Sequence, residues 1–117
     1  MSTTCPHCQV LSTTLENVKA KYGDKVAILS VVMPPDTDAT VAKYKSVNRI
    51  TTPIVCDMGQ VIIAYLNARP GTLHVDLPHL FVIDKQGMIR NDFAYEEKTR
   101  PIFDGPGLFP EIDKLLK

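Results

Sequence analysis

Two cysteines three residues apart, Cys5 and Cys8, stand at the head of a helical pattern, and nothing else in the chain constrains the fold as much. After them Leu11, Leu15, Val18 and Tyr22 recur at helical spacing, and Gly23-Asp24 supplies a stop. The spacing predicts a helix from the motif to about residue 22. A third cysteine, Cys56, makes the count odd, which reads as one C-x-x-C site plus one leftover thiol. The motif also arrives early, with only residues 1–4 before it and no signal-peptide pattern there.

The rest of the chain alternates strand and helix patterns. Residues 25–33 (KVAILSVVM) form a β-branched apolar run, expected to be a strand buried on both faces and ended by Pro34-Pro35. A helix over about residues 37–48 carries Val41, Tyr44 and Val47 on one side, with Asp36, Thr37 or Asp38 as cap. Residues 52–57 (TPIVCD) read as a short strand, and residues 59–67 as a short helix broken by Arg69-Pro70-Gly71. A second strong strand over residues 80–84 (LFVID) leads through the turn Asp84-Lys85-Gln86-Gly87 to an antiparallel strand over residues 88–93. Residues 96–109, which include Pro101 and Pro106, are expected to be irregular, and a last helix covers about residues 110–116. This order predicts one α/β domain, residues 1–117, with a mixed sheet that ends in a hairpin and a closing helix.

Composition narrows the function. Thirteen basic side chains balance thirteen acidic ones, so no charge signal points to nucleic acid or an anionic membrane surface. The apolar share of 44% suits a globular core, and no apolar run reaches the ~18 residues that would span a bilayer.

Chemistry is concentrated at Cys5-Pro6-His7-Cys8. A cysteine at a helix N-terminus faces unpaired backbone N–H groups and the positive end of the helix dipole, which favour thiolate. Pro6 fits the first helical turn, where its missing N–H costs nothing. His7 adds a cation or hydrogen-bond donor near the Cys5 sulfur. A stabler thiolate is a better leaving group and moves the pair toward the oxidising end of the C-x-x-C range. Zinc is the rival reading, and it needs two more ligands. His7, Cys56, His74 and His79 are the nitrogen and sulfur candidates left, none of them paired at ligand spacing. Cys56, in an apolar run, reads as a small buried hydrophobe or a resolving thiol. His74 and His79 flank the proline loop and read as surface or satisfied loop histidines, with substrate contact as the alternative.

These blocks resemble the thioredoxin superfamily, in particular its redoxin branch of TlpA-like thiol–disulfide oxidoreductases. Thr4-Cys5-Pro6-His7-Cys8-Gln9 looks like the redox motif, with the Pro-His dipeptide seen in DsbA-type proteins. Pro53 to Gly59 followed by Ala64-Tyr65 looks like the redoxin strand, acidic turn and Tyr-bearing helix. Leu77-Pro78-His79-Leu80-Phe81-Val82-Ile83-Asp84 resembles the cis-proline strand. By that resemblance Pro78 is the cis-proline beside the cysteines and Leu77 presents backbone to a substrate strand. The resemblance implies a thioredoxin-like fold with a central mixed sheet flanked by helices. The strand that would feed the cysteine motif, central in that sheet, has no counterpart in residues 1–4. The buried acidic residue of thioredoxins would lie on it, and Asp57 and Asp76 are weak stand-ins. The expectation is therefore a domain incomplete at its N-terminus, lacking about forty family residues by comparison. The edges of the strands at residues 25–33 and 80–84 would then be free for strand-mediated self-association.

The resulting expectation is a protein thiol–disulfide oxidoreductase. Cys5 and Cys8 are the redox pair, Pro6 and His7 tune it, Leu77 and Pro78 bind substrate, and the dithiol is itself the only cofactor. Its partners are protein thiols or disulfides and a redox partner protein, in an extracytoplasmic bacterial setting. A peroxiredoxin-like antioxidant and a C-x-x-C metal-binding or metallochaperone module are the alternatives.

Overall fold

The helical spacing after the cysteines becomes α1, Pro6–Tyr22, in a computed structural model that describes residues 1–66 and 77–116. Cys5 caps it and Pro6 occupies its first turn, while Gly23, at φ +56°, ends it. The buried face carries Leu11, Leu15, Val18 and Tyr22, the four positions that mark the pattern in the sequence.

The apolar run that follows is less regular than its composition predicts. Gly23–Lys25 closes a 3₁₀ turn, and the strand β1 is confined to Ser30–Val32. Among the described residues its ladder partner is the equally short β2, Ile54–Cys56, which pairs parallel with Ser30 opposite Ile54 and Val32 opposite Cys56. Of β1 only Val32 is buried, so the expectation of a strand covered on both faces is corrected. A ladder on one side, three residues long, has no means of ordering the rest of residues 25–33. Between the two strands, α2 spans Asp38–Asn48. Thr37 caps it by accepting from the Thr40 backbone N–H, and Thr40 returns the bond to Thr37.

The helix α3, Gln60–Leu66, buries none of its residues. The strand β3, His79–Ile83, pairs antiparallel with β4, Ile89–Ala94, placing Leu80 opposite Phe93. Asp84 shapes the turn between them by accepting the N–H groups of Gln86 and Met88, both at 2.9 Å, and Gly87 takes φ +83°.

Residues 96–109 are not irregular. A 3₁₀ turn, Glu97–Thr99, leads into α4, Arg100–Asp104, and then α5, Leu108–Leu116. Pro101 and Pro110 stand in the first turns of these helices, where no intrahelical bond needs their N–H. They start helices here instead of breaking them. Both helices pack on α1 through Phe103, Leu108 and Ile112, with Leu80, Val82 and Phe93 of the hairpin completing the core.

The described strands make two separate pairs, not one sheet. Between β1 and β3 lies a cavity of about 270 Å³, walled by Val31, Leu80, Phe81, Tyr65 and Leu11. No strand from the described residues occupies that position.

Candidate functional site

Everything chemical at this site is built around the first turn of α1. Cys5 has extended backbone (φ −88°, ψ 116°), and its Sγ accepts the Cys8 backbone N–H at 3.2 Å. The sulfur therefore replaces the side-chain oxygen of an ordinary N-cap and takes up one of the helix's orphan donors. Such a donor is stronger toward thiolate than toward thiol. Cys5 is partly exposed, whereas Cys8 is 1% exposed and turned into the protein. Burial, with Cys5 beside it, pushes the Cys8 thiol up to about 12. The two sulfurs thus stand in unlike surroundings, one accessible at a helix end and one buried and held protonated.

The turn is braced from beneath. Ser12 Oγ donates to the Cys8 carbonyl at 3.0 Å and shares a 2.7 Å hydrogen bond with the Tyr44 hydroxyl of α2. Thr3 holds the approach to the motif: its backbone N–H donates to Asp36 Oδ2 at 3.0 Å, and its hydroxyl donates to the same carboxylate. Burial alone would raise Asp36, but these bonds, with that from Thr40, hold it below the usual carboxylate range.

From the other side comes the loop before β3. The Leu77–Pro78 bond is cis, Pro78 is fully buried, and the Cys5 thiol donates to the Leu77 carbonyl at 3.8 Å. Sequence positions 72 residues apart thus meet at the reacting sulfur. His7 is exposed, and its ring stacks on Tyr95 with centroids 4.5 Å apart. Its Nδ1 lies 3.0 Å from the Tyr95 hydroxyl.

The other sequence candidates lie apart from this group. Cys56 is exposed, not buried as expected, because it ends the outer strand of a two-stranded pair. Desolvation and then Asp38 raise its thiol. His79 belongs to β3 and not to a loop; it bonds Asp92 across the hairpin, and its ring lies tilted beside Phe81, with centroids 4.8 Å apart. Asp57 accepts the N–H groups of Gly59 and Val61, each at 2.9 Å, as a turn residue before α3. His74, Asp76 and the Arg69-Pro70-Gly71 break lie outside the described residues. Among the described residues no three His, Cys, Asp or Glu side chains gather as a metal site would need, and no helix is long and apolar enough to cross a membrane.

Residues 1–92 match the model of the AhpC/TSA family. The chain belongs to the AhpC/TSA family. The match begins with the cysteine motif and runs through the cis-proline strand into β4, so the blocks that carry the redoxin resemblance are within it. No curated protein and no solved structure matches significantly. Membership makes this a redoxin with the thiol-based oxidoreductase or peroxidase chemistry of that family, and the mixed α/β architecture is that of a partial thioredoxin-like fold.

Sequence reasoning missed three contributors: Tyr44, Tyr95 and Asp104. Phe93 and Tyr95 are two apart, a period that puts both on one face of a strand carried through to residue 95, and that signal could have found Tyr95. Nothing local to Tyr44 or Asp104 announces a role, because each reaches the site only through tertiary packing.

Proposed function

We propose that the chain is a protein thiol–disulfide oxidoreductase in which Cys5 is the nucleophile and Cys8 the resolving thiol. The observation that carries this reading is the asymmetry of the pair. Cys5 lies at the helix N-cap, partly exposed, against the carbonyl of a cis-proline loop, while Cys8 is buried one turn behind. Attack by the Cys5 thiolate on a target disulfide forms a Cys5–target bond and releases one target thiolate. Cys8 then gives up its proton and attacks Cys5 Sγ, forming the Cys5–Cys8 disulfide and releasing the second target sulfur as thiolate. Run backwards, the same steps oxidise a target dithiol. Burial raises the Cys8 thiol, so its deprotonation is part of the resolving step.

Leu77, with its carbonyl on the Cys5 side of the loop, is the backbone group best placed to meet an extended substrate, and Pro78 holds that loop in place. The partners of this reading are protein thiols or disulfides, and the dithiol serves as cofactor. An extracytoplasmic bacterial setting goes with it through the TlpA-like resemblance.

The family match favours a second reading, peroxide reduction. Cys5 thiolate would attack the terminal oxygen of a hydroperoxide and break its O–O bond, giving sulfenic acid and an alkoxide or hydroxide that takes up a proton from solvent, and Cys8 would condense with the sulfenic acid to the disulfide and water. One experiment separates the two. Cys8→Ser is expected to accumulate a mixed disulfide through Cys5 with a reducible protein substrate, and Cys5→Ser to abolish exchange. If Cys8→Ser traps no substrate while the wild-type protein consumes peroxide with a thiol reductant, the second reading replaces the first.

A further inference from the structure

His7 is exposed at the head of α1, and its ring is not free. Tyr95 lies flat against it, with 28° between the planes, and brings its hydroxyl to Nδ1 at 3.0 Å. Tyr95 is itself held edge-on by Phe103, with centroids 5.3 Å apart, and Phe103 is completely buried. The Phe103 carbonyl accepts the Thr14 hydroxyl at 2.7 Å, which ties α4 to the same helix that carries the motif. On its far side the Tyr95 hydroxyl lies 3.4 Å from Asp104 Oδ2, and Arg100 Nε stands 3.7 Å from that same oxygen. Tyr95 and Asp104 fall beyond residue 92, outside the segment that matches the family model.

A phenol has one proton and can donate once. With an ionised carboxylate on one side and an imidazole nitrogen on the other, the charge-assisted bond to the carboxylate is the stronger use of that proton. The phenol oxygen then accepts, and among the described residues the donor facing it is His7 Nδ1–H. The charged and titratable groups near His7 are Tyr95, just after β4, and Asp104 and Arg100 on α4, with Cys5 and Cys8 flanking it in the sequence.

We propose that Tyr95 and Asp104 are positioning residues that hold neutral His7 as its Nδ1-protonated tautomer, leaving Nε2 as the basic nitrogen for the Cys5 thiol. The step this serves is a proton transfer: the Cys5 S–H bond breaks, its proton passes to Nε2, and a thiolate beside an imidazolium results. The imidazolium keeps its Nδ1–H on Tyr95, so the same wiring serves both charge states. Without it nothing fixes which ring nitrogen carries the proton. This inference rests on Cys5 being the reacting thiol, but the wiring itself is read in the resting protein.

Nitrogen-15 NMR of the reduced protein, above the pH at which the ring is charged, tests it. The wild type is expected to show His7 protonated on Nδ1. Tyr95→Phe keeps the stacked ring and removes the hydroxyl, and Asp104→Ala removes the acceptor. Both variants are expected to lose the Nδ1-protonated form, and disulfide exchange is expected to slow by on the order of tenfold, the low end of what losing an orienting partner does to a metal-bound histidine. A ring protonated on Nε2 in the wild type overturns the proposal. So does an Nδ1-protonated ring that persists in either variant, and Asp104→Ala decides alone should Tyr95→Phe fail to fold. The tautomer needs no substrate, so a protein that exchanges no disulfides but shows the expected NMR pattern counts against the proposed function and not against this wiring.

Discussion

The two flanks of α1 differ sharply. On one side α4, α5 and the β3–β4 hairpin close over Leu11, Leu15, Val18 and Tyr22, with Phe103, Leu108 and Ile112 at 0–7% exposure. On the other, β1, β2 and α3 leave Leu29, Met58 and Ile63 at 63%, 76% and 59% exposure. The first flank is made of long side chains that interlock, so it fixes the helix bearing the cysteines. The second flank holds the motif through hydrogen bonds and polar ties: Thr3 to Asp36, Ser12 to Tyr44, and Glu16 to the backbone of Thr51 and Thr52. Stability and site geometry are therefore divided between the flanks, and they should fail under different insults.

The largest effect is expected at Phe103. Its replacement by alanine opens a cavity in a fully buried place and should destabilise the protein by about 3–5 kcal/mol in denaturant titration. Because Phe103 also props Tyr95, the His7 ring should lose its stacking partner in the same variant. Ile63→Ala, on the exposed flank, should stay within about 0.5 kcal/mol of wild type. Equal losses from the two substitutions would erase the contrast.

A smaller effect separates the flanks by pH. Burial, and then the Asp113 carboxylate that accepts its hydroxyl, pushes the Tyr22 phenol up to about 12. A phenol raised in the fold contributes stability in full below its unfolded value near 10 and loses it as pH rises from there to about 12. Glu16 is opposite in sign: burial would raise it, but bonds from Thr51 and Thr52 hold it below its usual range, as those from Thr3 and Thr40 hold Asp36. Their contribution is present above the ordinary carboxylate range and lost as pH falls through it and below. Alkali should therefore weaken the Tyr22–Asp113 tie of α1 to α5, and acid the Glu16 and Asp36 ties on the β1–β2 side. Hydrogen exchange mapped at pH 3 and pH 10.5 checks this, and loosening of the same segment at both ends would contradict it.

Much of the packed flank was legible in the sequence, because α1 and the hairpin repeat at clean periods and end in Gly23-Asp24 and Asp84 to Gly87. The α4–α5 segment was not, because proline reads as a breaker until its place in a first turn is known. The open flank was over-read in the other direction. Residues 25–33 have strand composition, but pairing needs a partner, and β2 offers only three residues. At the site, the motif and the cis-proline loop were visible as residue types, and their meeting at Cys5 was expected only through the resemblance. Tyr44 was legible only as an apolar helix position and Asp104 not at all, since tertiary contact alone brings them to the site.

The asymmetry of Cys5 and Cys8 carries the proposed exchange chemistry. Limiting iodoacetamide added to the reduced, folded protein at neutral pH, followed by peptide mapping, reads it directly. Cys5 should be modified first, since it is partly exposed and its sulfur accepts a helix N–H. Cys56 should follow, exposed but with its thiol raised by desolvation and Asp38, and Cys8 should come last, being buried and raised further. Modification of Cys8 as fast as Cys5 would contradict the assignment of nucleophile and resolving thiol.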